Sequence, residues 1–350
     1  QGMIRLREFN MAELEYFIDP KETPEHDFSS WDKPVTLIAD DLGNVKMTFH
    51  QAVEEGVIRH PTVGYFMART MDFLISVGIN PEGLRFRQHE SNEMAHYAQD
   101  CWDAEILGSY GWIECVGIAH RGCYDLTAHE EATGQKLRAW RKFEEPKLVE
   151  VDGWTTDGAK AGPAFRALAG KVKEHVESLE ADSSFPITVS IDGQDIEILP
   201  DHVKRVQTTA NVTGEWYVPH VVEPAFGIDR IIWHILDHCY QETKKEGEDY
   251  TLLSIPKSVA PIDVAVLPLS EKDGMQELAE NIHRNLCGRK NVYSAYDASG
   301  SIGRRYARAD EIGVPFCITV DNQSLTDNTV TLRDRDTREQ IRLNIDDLPF

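Results

Sequence analysis

Several short stretches of this chain place side chains that could do chemistry at useful spacings. In NMAELEYF, Glu13 and Glu15 alternate with Leu14 and Tyr16, so on an extended strand the two carboxylates share one face. A solvated strand face and a pair of site carboxylates give the same pattern. Glu114 stands in the apolar run SYGWIECVGIA, where a carboxylate is costly unless it meets a cation or hydrogen-bond donors. A site acid and an acid at the edge of a sheet both fit. AHRGCYDLTAH combines His120, Arg121, Asp125 and His129, but no third His or Cys has the spacing of a zinc site. Arg121, at the end of a strand, suits a carboxylate or phosphate through its planar fork.

In VVEPAFGIDRI, Glu223 precedes a proline and is therefore biased to extended backbone, while Gly227 permits close approach of backbone or ligand. Arg230 then lies about one turn into a helix, where it can grip a phosphate or pair with Asp229. The GxxxxGK[ST] order of a P-loop is absent. Near the end, residues 288–309 carry Arg289, Lys290, Arg304, Arg305 and Arg308 against the single acid Asp297. Tyr293, Tyr296 and Tyr306 add surfaces on which unpaired bases could stack, so RNA recognition is the leading reading of this segment. TVTLRDRDTREQIR mixes arginines with acids, and cross-strand ion pairs explain it as well.

These residues must be positioned by something larger. The chain has 350 residues, enough for two or three packed units, and a formal net charge of −23, which argues against a general affinity for nucleic acids or acidic membranes. A local basic groove remains compatible with that charge. Six dispersed cysteines without a CxxC pair indicate neither a zinc knuckle nor a disulfide framework, and no apolar run approaches the roughly 20 residues needed to span a bilayer. A soluble, cytoplasmic protein is expected.

Residues 3–18 alternate as one or two strands, 60–79 have helical spacing ended by Gly78, and 85–89, 100–108 and 111–119 read as strands, the last two joined by a hairpin. Together they predict a mostly antiparallel sheet with helices set against it. Residues 135–158 read as irregular and 161–181 as a helix, while Asp192-Gly193 marks a hairpin. A helix over 226–240 and the polar segment QETKKEGED lead to a boundary near 250–262. From Ile262 short buried strands alternate with helices, the pattern of a compact α/β domain with a mixed sheet. The expected division is 1–134 and 211–257 for the first domain, 135–210 for an inserted α+β module, and 258–350 for the last domain.

The strings REFNMAELEYF, FRQHESNEMAHYAQDCWDAEI, SYGWIECVGIAHRGCYDLTAH, VVEPAFGIDRI and SGSIGRRYARADEIGVPF, the last followed by TLRDRDT, occur together in this order. In that combination the chain resembles, along essentially its whole length, the archaeal and eukaryotic type of glycyl-tRNA synthetase, a class II aminoacyl-tRNA synthetase. The resemblance implies an α+β catalytic domain on an antiparallel sheet, an insertion, and an anticodon-binding domain. It also implies a homodimer that makes glycyl-adenylate from glycine and MgATP and transfers glycine to its tRNA, with no structural zinc.

Carried onto this sequence, the resemblance sets Phe9 against the adenine, Glu13 near the glycine ammonium, and Arg5 and Arg7 on the preceding loop strand. Glu223 also faces glycine, Arg230 grips the ATP phosphates, Arg121 belongs to the same pocket, and Glu114 is an acid on the ATP or magnesium side. Arg289, Lys290, Arg304, Arg305 and Arg308 would lie near the anticodon stem-loop. Many relatives have Ser where this chain has Ala225, a glycine-pocket position; Asp229 stands where relatives often have Gly, and His120 where some have Asp. The family's motif 1 and the opening part of motif 2 would precede Gln1, so an upstream portion is expected. A non-catalytic relative that binds RNA or a protein partner is the alternative.

Overall fold

A computed structural model describes residues 2–90, 98–245 and 247–350. Two compact units emerge, one formed by residues 1–125 and 219–350, the other by 126–218. The second is wider at both ends than the module read from sequence.

The first unit is built on an eight-stranded sheet. Its strands are β1 (Met11–Glu13), β2 (Tyr16–Ile18), β3 (Val35–Ala39), β4 (Gly43–Met47), β5 (Leu84–Gln88), β6 (Asp100–Gly108), β7 (Gly111–Gly122) and β12 (His220–Gly227). The spatial order is β1-β12-β7-β6-β5-β3-β4, with β2 also paired to β12. All pairings are antiparallel except β3 with β5. The β6–β7 hairpin closes where Gly108 faces Gly111, and Gly111 takes the left-handed φ of 94° that a side chain would resist.

Alternation decides what each face does. Leu84, Phe86, Trp102, Ala104, Ile106, Val116, Ile118 and Val222 point to one side and are buried. Helices α1 (Phe49–Glu54) and α2 (Pro61–Ser76) complete this core with Phe49, Val63, Met67 and Leu74. His60 caps α2, its Nδ1 accepting the Thr62 amide at 3.2 Å, and Pro61 follows at the first helical position. The opposite side of the same strands carries charged and small residues, and the candidate site lies there.

The second unit contains most of α3 (Tyr124–Thr133), whose first two residues belong to the first unit, then β8 (Ala139–Thr156), α4 (Gly158–Phe165), α5 (Ala169–Glu177), β9 (Ile187–Ile191), β10 (Gln194–Ile198) and β11 (Val203–Tyr217). The expected irregular stretch 135–158 is instead mostly the long strand β8, paired antiparallel with β11. A two-stranded ribbon need not bury a continuous apolar face, so AWRKFEEPKLVEV lacks the alternation that would have revealed it. The helix expected over 161–181 is broken, because Arg166 adopts a φ of 47° between α4 and α5. The hairpin at Asp192-Gly193 is present as β9–β10.

Helix α6 (Ile228–Cys239) follows β12. QETKKEGED, read as a polar boundary, lies largely in another exposed ribbon, β13 (Tyr240–Lys245) with β14 (Glu248–Leu253). The last domain has β15 (Val264–Pro268), α7 (Met275–Cys287), β16 (Ser294–Tyr296), α8 (Ile302–Glu311), β17 (Phe316–Val320), α9 (Ser324–Asp327), β18 (Thr329–Asp334) and β19 (Gln340–Asn344). Its sheet order is β16-β15-β17-β18-β19, parallel across the first three strands and antiparallel beyond, the mixed sheet expected.

Candidate active site

The register of the large sheet lines up one row of residues across five strands. Glu13 of β1 lies opposite Ala225 of β12, Ala225 opposite Gly117 of β7, Gly117 opposite Asp103 of β6, and Asp103 opposite Arg87 of β5. In the adjacent row Glu223 faces Ala119, and Ala119 faces Cys101. Small residues thus form a floor between carboxylates on either side.

Two bulges aim the key side chains. Between β6 and β7 the register shifts so that Glu105 pairs with Glu114 and Cys115 is the extra residue. Strict alternation would send Glu114 to the core with Val116 and Ile118; the bulge turns it to the open face. A second shift, where Val221 pairs with Gly122 and Val222 with His120, leaves Arg121 as the extra residue. Its guanidinium donates to Glu223 Oε1 at 3.1 Å and to Asp125 Oδ2 at 2.9 Å. Burial raises the Glu223 carboxyl above its ordinary value, Arg121 opposes that rise, and Glu13 adds to it. Glu13 and Glu223 are therefore close enough to repel, which suits a shared cationic guest.

Next to this group lies a cavity of about 470 Å³ lined by Arg5, Phe9, Glu114, Ala225, Gly227 and Arg230, among others. Arg230 donates through Nε to the Ile4 carbonyl at 3.2 Å and through a terminal nitrogen to the Glu114 carbonyl at 2.7 Å. The Glu114 carboxylate stands 3.8 Å from Arg230 and is exposed. Its pKa is raised, first by partial desolvation and then by Asp103, so a cation there would relieve it. The Asp229–Arg230 ion pair considered from sequence does not form. Asp229 is buried and accepts the Asn10 backbone N–H at 2.6 Å instead.

Sequence reasoning assigned no role within WDAE, yet Asp103 and Glu105 wall this face. Arg87 reaches both, at 3.1 and 3.2 Å, Arg85 binds Glu105 at 2.6 Å, and His89 binds Asp103 at 2.8 Å, which lifts the His89 pKa to about 10. The signal was there: acids at 103 and 105 alternate with the buried Trp102, Ala104 and Ile106. Among the described residues, His89, Cys101 and Asp103 are the one group of potential metal ligands that converges. Asp103 is already engaged by Arg87 and His89, so the group is better filled as an ion-pair network. Residues 91–97 of the string FRQHESNEMAHYAQDCWDAEI lie outside the described residues.

His120 is buried, with Nε2 3.2 Å from His220 Nδ1, and desolvation holds its pKa down to about 4. It belongs to the core side of β7, and His129 lies in α3 of the other unit.

In the last domain Arg305 corrects an expectation. It is 3 % exposed and donates to the carbonyls of Pro268, Ala298, Ser299 and Gly300, so it braces the loop before α8 and is closed to RNA. Arg308 is paired with Asp297 at 2.5 Å, and Arg289 holds the carbonyl of Phe350. Lys290 and Arg304 are exposed. Of the tyrosines, Tyr293 is 67 % exposed, whereas Tyr306 is held inside by Thr319 at 2.5 Å. The arginines of TLRDRDT are structural: Arg333 makes a buried two-pronged pair with Asp310, both bonds 2.8 Å, and Arg335 donates to the carbonyls of Gly313 and Ile255.

Residues 263–349 match the family described as anticodon binding domain. The chain is 44 % identical over 351 residues to the glycine--tRNA ligase of Archaeoglobus fulgidus, covering 100 % of this chain and 61 % of that protein. It is also 44 % identical over 373 residues to the glycine--tRNA ligase of Methanocaldococcus jannaschii, covering 99 % of this chain and 63 % of that one. Over essentially its whole length, the chain is similar to these glycine--tRNA ligases. It spans about three-fifths of the length of these curated relatives. Solved prolyl-tRNA synthetases from Cryptosporidium parvum, complexed with L-proline and AMP, and from Giardia lamblia, in complex with prolyl-adenylate, align over 99 % of this chain. They cover 50 % and 47 % of those chains at TM-scores of 0.45 and 0.47 and identities of 14 % and 12 %. The large, mostly antiparallel sheet together with the mixed sheet over the residues that match the anticodon binding domain family fits the α+β architecture expected from sequence. Among the described residues, no helix is long and apolar enough to cross a membrane.

Proposed function

We propose that the protein activates glycine with ATP, forming glycyl-adenylate and releasing pyrophosphate, and then transfers glycine to glycine tRNA. The observation that carries this reading is the sheet row placing Glu13 opposite Ala225, beside the Arg121–Glu223 pair and the cavity of Arg5, Phe9 and Arg230. Glycine offers an ammonium, a carboxylate and no side chain. Glu13 and Glu223 take the ammonium; Arg121 fixes Glu223 and opposes the rise in its pKa that burial causes. The floor of Gly117, Ala119 and Ala225 supports a substrate without a side chain, and selectivity against larger amino acids comes from exclusion. Ala225 supplies no hydroxyl, so the carboxylates and Arg121 must do the orienting.

The other half of the reaction belongs to the cavity. Phe9, 59 % exposed, offers its ring face to adenine, and Arg5 and Arg230 face the phosphates. The glycine carboxylate oxygen attacks the α-phosphorus, the new O–P bond forms, and the electron pair of the breaking P–O bond leaves on pyrophosphate. Pre-placed arginines stabilise charge on the phosphate oxygens without reorganising during the step. Glu114 fits Mg²⁺, since that ion characteristically binds one or two carboxylates together with substrate phosphates. When bound, Mg²⁺ supplies neutralisation of phosphate charge.

In this reading residues 1–134 and 211–257 make the catalytic domain, 135–210 the inserted module, and 258–350 the anticodon-binding domain, with Lys290, Arg304 and Tyr293 as its RNA-facing groups. The enzyme works as a cytoplasmic homodimer in full-length form. Glycine-dependent ATP–pyrophosphate exchange by the full-length protein, with alanine and serine as controls, tests the proposal. Exchange with glycine alone is expected. A folded, ATP-binding protein that is silent with glycine would instead be a non-catalytic relative.

A further inference from the structure

The first turn of α6 holds both feet of the segment that arches over the cavity. At one end, Arg230 Nε donates to the carbonyl of Ile4 at 3.2 Å. At the other, Asp229 Oδ2 accepts the backbone N–H of Asn10 at 2.6 Å, Oδ1 faces Asn10 Nδ2 at 3.4 Å, and the Ile228 N–H donates to the Asn10 carbonyl at 3.0 Å. Between the feet lie Arg5, Leu6 and Phe9, all lining the cavity, and all of 5–10 is exposed. An exposed segment of this length has little packing of its own to fix it, so its shape depends on its anchors. Asp229 is 9 % exposed, and its bond to the Asn10 amide joins a charged acceptor to a backbone donor, the stronger kind of hydrogen bond.

We propose that Asp229 is a positioning residue for the nucleotide: it clasps Asn10 and so holds the Arg5–Phe9 arch in the shape that receives ATP. This rests on the proposed glycine activation for its kinetic consequence, but the clasp itself stands on the geometry above. A carboxylate so near an anion-binding cavity would by charge alone weaken ATP binding. The clasp predicts the opposite sign, because removing Asp229 frees the arch. The two explanations therefore separate cleanly.

The test compares D229A and D229N in the full-length protein. In D229N the amide oxygen still accepts the Asn10 N–H, and Asn10 can turn its own side-chain amide to match. Hydrogen exchange of the peptide containing Asn10 reads the clasp without turnover, and ATP–pyrophosphate exchange reads its use. Expected are at least tenfold faster exchange of the Asn10 amide in D229A, with D229N close to wild type, and an ATP KM raised at least fivefold in D229A while glycine KM stays within twofold. Unchanged amide exchange in D229A overturns the proposal whether or not the enzyme is active. So does a fall in ATP KM in both variants, which is the charge effect, or an equal rise in both substrates' KM, which is general damage. A wild-type protein silent in pyrophosphate exchange sinks the glycine-activating reading and leaves the clasp to be decided by amide exchange and by ATP binding alone, on the same expectations.

Discussion

Replacing Arg121 by Met removes the cation between Glu223 and Asp125 while keeping most of the side-chain volume. The Arg121–Glu223 contact is 3.1 Å, with side-chain exposures of 27 % and 14 %. At that distance Coulomb attraction is about 5 kcal/mol at an effective dielectric constant of about 20 and about 1.3 kcal/mol in water. Desolvation cancels much of the larger figure, so a net loss of roughly 1–3 kcal/mol is expected for a half-buried pair. The pH dependence has a definite sign. Burial holds the folded-state pKa of Glu223 above its ordinary 4.5, so its favourable contribution is full below 4.5 and is lost as pH rises through the raised value. R121M removes the guanidinium that opposes the rise, pushing that pKa higher and deepening the loss at neutral pH. Denaturant unfolding across pH should show the gap between wild type and R121M greatest near neutrality and closing as pH falls below 4.5. In pyrophosphate exchange, kcat/KM for glycine should drop about 10- to 100-fold, as expected for losing roughly 1.4–2.7 kcal/mol of orientation. A gap that is flat in pH, or wider in acid, would refute the assignment of Arg121 as the partner that opposes the rise in Glu223's pKa.

Gly227→Ala puts a Cβ 3.2 Å from the Cys115 carbonyl oxygen, a backbone atom that cannot swing aside; thermal unfolding should show about 1–2 kcal/mol of destabilisation, with weaker ATP binding. Arg333→Met leaves Asp310, whose side chain is 1 % exposed, without its cation, and should destabilise the last domain by about 3–5 kcal/mol, with the R333M/D310N double variant recovering part of it by calorimetry. Arg304→Ala combined with Lys290→Ala should leave thermal stability unchanged while weakening tRNA binding and lowering its salt dependence, whereas Arg305→Ala should lower stability because its carbonyl partners are left buried.

The parts legible in the sequence were those with one buried face. LRFRQ, DCWDAEILG and, past its bulge, VGIA alternate because one side of each strand meets the core that α1 and α2 complete, and the α/β rhythm after Ile262 survives because its strands are buried. The ribbons β8–β11 and β13–β14 were illegible for the converse reason: with little face to bury, their residues are chosen for solubility. At the site, Glu13, Glu223 and Arg230 were visible as residue types and spacings, but the aim of Glu114 and Arg121 depends on one extra residue in each of two bulges. No local pattern announces such a residue, since the shift exists only relative to the partner strand. Arg305 misled for a similar reason. A cation in a basic run reads as a surface group, and its burial is decided by four carbonyls that the tertiary fold brings around it.

The same division of labour explains how strands can afford residues as poor in β-propensity as Gly117, Ala119 and Ala225 at the centre of a sheet. Strand preference largely measures side-chain packing and burial, and here the packing is supplied from beneath by Trp102, Val116, Ile118 and Val222, each fully buried. The upper face is therefore released from holding the sheet together. It can carry a smooth floor with carboxylates at one margin and an Arg–acid network at the other, while bulges and the first turn of α6 set the aim of individual groups. A larger residue on that floor would add strand propensity and, on the proposed reading, fill the space that glycine needs. Stability and chemistry thus occupy opposite faces of the same strands, and a substitution's effect should follow from which face it touches more than from its position along the chain.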